Sequence, residues 1–103
     1  MADEKILVVD DDANILEVIK IRLEAEGYQV TAVESAEKAL AKAREEFFHL
    51  AITDLKLGST DGIELMENLL LINPDMPVII LTAYGTIENA VQAVKKGAYS
   101  YLT

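Results

Sequence analysis

Five short apolar, β-branched runs alternate with four amphipathic stretches along this chain, and that alternation restricts its fold more than any other feature. Residues 5 to 10, 28 to 33, 50 to 54, 78 to 82 and 99 to 103 read as strands, and the stretches between them repeat apolar residues at helical spacing. In the first helix Ile15, Val18, Ile19 and Leu23 form the repeat until Gly27 ends it. Ser35 is the expected N-cap of the second, with Glu37 in the first turn and Ala36, Leu40, Ala43 and Phe47 along one face. Gly58 to Thr60 reads as a loop, after which Asp61 and Glu64 start a third helix that carries Ile63, Met66 and Leu70 and stops at Asn73-Pro74. Thr86 caps a fourth, whose expected inward face is Ile87, Ala90, Val91 and Val94. Strands separated by helices pair in parallel through right-handed crossovers, with helices on both faces. The expected architecture is therefore a small α/β, doubly wound open sheet of five strands in the order 2-1-3-4-5, with ligands at the switch point between strands 1 and 3.

With 103 residues, 51% of them hydrophobic, the chain has material for a single core and reads as one domain, residues 1 to 103, with no linker inside it. A net charge of −9 repels phosphate polyanions, which argues against contact of this domain with nucleic acid or an anionic membrane. The absence of cysteine removes disulfides and thiolate metal sites and makes the reducing cytoplasm the default compartment. The opening Met-Ala-Asp-Glu-Lys lacks the features of a secretory signal, and no apolar run approaches the roughly 18 residues of a membrane span.

Asp10, Asp11 and Asp12 close the first apolar run, and Asp54 closes the third. The strand order puts both acidic strand ends at the switch point, where converged carboxylates repel unless a cation or protons intervene. Such a site suits a hard divalent metal, and aspartate with Mg2+ suits phosphoryl transfer. Asp54, alone at its strand end, is the candidate nucleophile; Asp10 and Asp11 are placed to hold the ion, directly or through water. Asp12, just before a helix, fits an N-cap. The plain alternative for the cluster is a charged cap plus coincidence. Thr82 ends the fourth run and can bond a phosphoryl oxygen on Asp54, or simply start a loop. Tyr101 is either a mobile aromatic that responds to Thr82 or a cover for an edge strand. Lys95 and Lys96 read as charges at a helix C-terminus, and His49 as a structural residue at the far sheet edge.

Taken in order, Val8-Val9-Asp10-Asp11-Asp12, Asp54, Asp61-Gly62, Leu81-Thr82-Ala83 and Gly97-Ala98-Tyr99-Ser100-Tyr101-Leu102 resemble the receiver domain of bacterial two-component response regulators. The run Ala83-Tyr84-Gly85-Thr86-Ile87-Glu88 is similar to receivers of enhancer-binding transcriptional activators of the nitrogen-regulator class. The resemblance implies that Asp54 accepts a phosphoryl group from a phosphohistidine on a sensor histidine kinase. It implies Mg2+ ligation by Asp11 with help from Asp10 and the backbone carbonyl of Lys56. It also implies that Thr82 and Tyr101 form a switch pair, and that the fourth helix with the fifth strand is the output surface toward ATPase and DNA-binding domains or a second copy.

Two departures stand out. Leu57 and Gly58 occupy positions where the family commonly has Met-Pro, so a fixed φ is replaced by the freest residue and the loop is expected to loosen. The family's lysine, the proline after it and its final helix are expected directly beyond Thr103. The chain accordingly reads as a fragment of a longer regulator, with one side of the fifth strand uncovered and phosphorylation weakened. Two competing readings are a receiver-like binding module that signals without phosphorylation and, more remotely, a Mg2+-dependent phosphatase with an aspartate nucleophile, suggested by Asp10-x-Asp12.

Overall fold

The computed structural model describes residues 4–83 and 85–103. Its elements are β1 (Lys5–Val9), α1 (Ala13–Ala25), β2 (Gln29–Val33), α2 (Ala36–Glu45), β3 (Leu50–Thr53), β4 (Lys56–Leu57), β5 (Thr60–Asp61), α3 (Gly62–Ile72), β6 (Val78–Leu81), α4 (Ile87–Lys95) and β7 (Ser100–Leu102). The main sheet runs β2-β1-β3-β6-β7, every pairing parallel, which is the expected order 2-1-3-4-5 once the short β4 and β5 are set aside. The stretch read as a loop from Gly58 to Thr60 is instead the turn of a small antiparallel hairpin, with Leu57 paired to Thr60. Two-residue strands carry too little pattern to be seen in a sequence.

Each helix starts where a short polar side chain can accept an otherwise orphan N–H. Asp12 accepts from Asn14 (2.9 Å) and Ile15 (3.2 Å), Ser35 from Lys38 (3.2 Å), Asp61 from Ile63 (2.8 Å) and Thr86 from Asn89 (3.0 Å). All four caps fall where the residue pattern put them, so the strand ends and the helix starts sit along one edge of the sheet.

Burial divides the sheet. On one face Leu7, Val9, Ala51, Val78 and Ile80 pack against α2, α3 and α4 through Ala39, Leu65, Met66, Leu69 and Ala93. On the other, Ile6 and Val8 pack with Leu16 of α1, and Ile19, Leu23 and Ile52 lie against them. Three inward faces depart from expectation. In α1, Leu16 is buried with Ile6 and Val8, whereas Ile15 and Val18 are exposed. In α4 the small Ala93 is the buried residue and Ile87, Val91 and Val94 face outward; Ile87 is 85% exposed. Close approach to the sheet is possible through alanine, so bulk is turned to the other side. In α2 the helix ends at Glu45, two residues short of Phe47; Phe47 is 60% exposed and Phe48 enters the core at 2%.

The edge away from the strand C-termini is held by ordinary contacts. His49 donates its N–H to the Lys5 carbonyl (2.8 Å) and accepts the Lys5 N–H at Nδ1 (3.0 Å), tying β3 to β1. Lys5 pairs with Glu46, and Lys96 lies 3.9 Å from Glu67. The adjacent phenylalanines give a direct test of this packing. Phe48→Ala is expected to cost about 3–5 kcal/mol and Phe47→Ala less than about 0.5 kcal/mol, measured by urea unfolding; equal losses would contradict the burial pattern.

Candidate functional site

The register of the central strands builds the site before any side chain is considered. Val9 pairs with Thr53, and the next residue of each strand is an aspartate. The Asp54 N–H donates to the Val9 carbonyl (3.1 Å) and the Asp10 N–H to the Val33 carbonyl (3.2 Å), so both acids are still fixed to the sheet as the chain leaves it. Asp10 is 5% exposed and Asp54 8%, while Asp11, one residue along, is exposed. One carboxylate oxygen from each of Asp10, Asp11 and Asp54 falls in a group whose members all lie within 4.8 Å of one another.

Each of these acids is further held by a main-chain donor. The Leu55 N–H reaches Asp54 Oδ1 at 2.6 Å, the Asp12 N–H reaches Asp10 Oδ1 at 2.9 Å, and the Gly58 N–H reaches Asp11 Oδ2 at 3.0 Å. Asp12 is outside the group, its side chain occupied in capping α1. Burial, above all, holds the Asp10 carboxyl above its ordinary value of 3.8; the Asp12 N–H offsets part of this, and the charges of Asp54, Asp11 and Asp12 add to it. Three acidic oxygens converging in a partly desolvated cleft form a donor set suited to a hard divalent cation.

Asp10, Asp54, Leu81, Thr82 and Ala83 line one pocket of about 290 Å³, with Ile15 and Thr103 at its edge. Thr82 is 4% exposed and its N–H donates to the Leu102 carbonyl (3.0 Å). Tyr101 pairs with Ile80, two residues before Thr82, and packs against the larger core cluster. Its hydroxyl is buried without a hydrogen-bond partner among the described residues. Lys56 stands in β4, two residues beyond Asp54, and Lys95 and Lys96 are at the opposite end of α4. Tyr84, part of the run that resembles the nitrogen-regulator class, lies outside the described residues.

The sequence profile of the response regulator receiver domain family matches residues 6–103. The chain belongs to that family. The transcriptional regulatory protein GlrR of Escherichia coli K12 is 42% identical over 98 residues, 95% of this chain and 22% of that protein. The chain therefore spans about a fifth of the length of the curated relatives it matches. A response regulator from Burkholderia pseudomallei, solved with a phosphorylated aspartic acid, a calcium ion and citrate, superimposes with a TM-score of 0.92 at 38% identity, covering 97% of this chain and 59% of its own. The beryllofluoride-activated NtrC4 receiver domain dimer, at 35% identity, gives a TM-score of 0.90 over 95% of this chain and 81% of its own. Receiver domains are the phosphoacceptor signalling units of two-component systems and bind a divalent metal at an acidic pocket.

Three glycines of this receiver matter to the site in ways that residue type alone did not reveal. A Cβ on Gly62 would lie 2.0 Å from the Asp54 carbonyl oxygen, and the Gly62 N–H donates to the Leu55 carbonyl at 2.7 Å. Helix α3 thus begins directly against the main chain of the acidic loop, an approach open only to glycine. Gly85 gives room to Tyr101: a Cβ there would meet the Tyr101 hydroxyl and Thr103 Cγ2, each at 2.7 Å. Gly58 is the Asp11 donor already described. All three were marked only through the resemblance, Gly62 in Asp61-Gly62, Gly58 as a departure from Met-Pro and Gly85 within the run from Ala83 to Glu88, and their contacts were not legible.

Gly62→Ala is expected to destabilise the domain by about 2 kcal/mol or more, since the clash is with backbone that cannot swing aside; an unchanged urea midpoint would refute the close approach. Asp10 makes a prediction in pH. Its proton is held more tightly in the folded state, so its contribution to stability is fully present below pH 3.8 and is lost as pH rises through its elevated value. Asp10→Asn in chelator-treated protein should therefore raise the unfolding midpoint at pH 7, with the advantage over the parent shrinking as pH falls toward 4. An advantage independent of pH would contradict it.

Proposed function

We propose that Asp54 is the phosphoacceptor of this receiver domain and that the ion of the acidic cluster is Mg2+. The observation that carries the reading is the convergence of one oxygen each from Asp10, Asp11 and Asp54 within 4.8 Å, at the ends of two adjacent central strands. The Leu55 N–H occupies Asp54 Oδ1 and fixes the carboxylate, so the other oxygen is presented to the pocket shared with Thr82. That oxygen forms a bond to phosphorus as the N–P bond of a phosphohistidine on a sensor histidine kinase breaks, the electron pair returning to the imidazole. Mg2+ bound by Asp11, Asp10, Asp54 and the Lys56 carbonyl would supply positive charge against the phosphoryl oxygens. The Thr82 hydroxyl hydrogen-bonds the transferred group, and Tyr101 takes up the space this movement opens. The chemistry is a single uptake followed by hydrolysis, so the domain acts as a switch and not as a turnover enzyme.

The output surface in this reading is α4 with β7, where Ile87, Val91, Val94 and Tyr99 present apolar side chains to solvent. Residues 1–103 work inside a longer cytoplasmic regulator with ATPase and DNA-binding domains, in which this acidic domain touches neither nucleic acid nor membrane; pairing with a second copy belongs to the same reading. Among the described residues no helix is long and apolar enough to cross a membrane. The exposed Leu102 on the open side of β7, with half-buried Ile79 and Leu81 beside it, fits a unit that works with further protein against that side.

Incubation with acetyl phosphate and Mg2+ should add one phosphoryl group by mass spectrometry. The addition should be absent from Asp54→Asn and fall at least about tenfold in rate with excess EDTA. Uptake that persists in Asp54→Asn, or multiple turnover of p-nitrophenyl phosphate, would overturn the assignment.

A further inference from the structure

The hairpin that follows Asp54 carries a donor with no use in the hairpin itself. Leu57 pairs with Thr60, which makes Gly58 and Ser59 the two central residues of the turn. A β-turn closes through the carbonyl of its first residue and the N–H of its fourth, so the N–H of the second points away unpaired. Here the second residue is Gly58, at φ +63°, and its N–H is spent on Asp11 Oδ2 across 3.0 Å. The bond spans 47 positions of sequence and joins the acid following β1 to the loop following β3. Position 58 is doubly restricted: positive φ favours glycine, and proline would have no N–H to give.

The turn is itself anchored. On its far side Asp61 caps α3 through Ile63, and Gly62 is bonded to Leu55 and packed on the Asp54 main chain. The Gly58 donor is therefore carried on a frame fixed to the same strand end as Asp54. Asp11 is the exposed member of the acidic group, without the burial that restrains Asp10 and Asp54. A side chain in that position would spread away from two like charges.

We propose that Gly58 is a positioning residue of the metal centre: its main-chain N–H holds one oxygen of Asp11 and leaves the other facing the cation, so that the exposed ligand is oriented before the ion arrives. The inference rests on the reading of Asp10, Asp11 and Asp54 as a divalent-metal site. Outer hydrogen bonds that orient a ligand commonly change metal affinity by one to two orders of magnitude. Gly58 then replaces the proline common at this position by a different device, and the loop is pinned through Asp11 instead of through a fixed φ.

The test removes the donor and adds no side chain, at the cost of a weaker acceptor at the Leu57 carbonyl. Semisynthesis with glycolic acid in place of Gly58 exchanges the N–H for an ester oxygen and keeps the freedom to adopt positive φ. Mg2+ titrated calorimetrically into this protein and into the unmodified chain should bind about tenfold more weakly to the ester. Equal affinity would overturn the role of Gly58 and leave the metal site intact; tighter binding by the ester would overturn it too, by showing that the N–H competes with the ion. No binding by the unmodified chain would remove both the site and the inference. Should the ester fail to fold, 15N-labelled unmodified protein decides the matter: the Gly58 amide should be protected from exchange without ion and remain so at saturating Mg2+. Loss of protection on ion binding overturns the proposal.

Discussion

Mutual repulsion among three carboxylates is the constraint around which the rest of this domain is arranged. Left to themselves Asp10, Asp11 and Asp54 would separate, since unit charges a few Å apart near a protein surface repel by several kcal/mol. They are prevented from doing so by the parallel register of β1 with β3, in which Val9 faces Thr53 and the following residues are still bonded to the sheet. The core beneath consists of Leu7, Val9, Ala51 and Val78 packed on α2, α3 and α4, and this apolar burial supplies the free energy that holds the acids together. Asp10 holds its proton more tightly than usual, chiefly because it is buried and to a lesser degree because Asp54, Asp11 and Asp12 lie near. A divalent cation held among the three would relieve the same repulsion.

Main-chain amides do most of the local ordering. Leu55, Asp12 and Gly58 each direct an N–H at one carboxylate, and none of these donors depends on its own side chain. A site built this way tolerates change in residue type at the donor positions but not change in backbone path. Gly62, against the Asp54 carbonyl, and Gly58, at positive φ, are where the path depends on residue type.

Much of this was legible in the residues. The alternating period gave a doubly wound parallel sheet, whose common strand order brings Asp10 and Asp11 to Asp54; Asp12, Ser35, Asp61 and Thr86 were recognisable as caps because a short polar side chain before an apolar repeat has that one local use. Helix orientation was less legible. Apolar residues lie on more than one side of α1 and α4, and periodicity does not say which side the sheet will take: α1 buries Leu16 and not Ile15, and α4 buries Ala93 and not Ile87. The pair Phe47 and Phe48 reversed for the related reason that the last turn of α2 ends early. The hairpin of β4 and β5 was too short to register, and the contacts of Gly58 and Gly85 are made with residues far away in sequence, so no local pattern announces them.

The phenol of Tyr101 bears a different kind of consequence. A hydroxyl shut away from water and without a partner among the described residues costs about 1–3 kcal/mol. The aromatic ring packs on the core, and that burial offsets the dehydration of its oxygen. Its place depends on the bare backbone of Gly85, since any side chain there would press on the phenol.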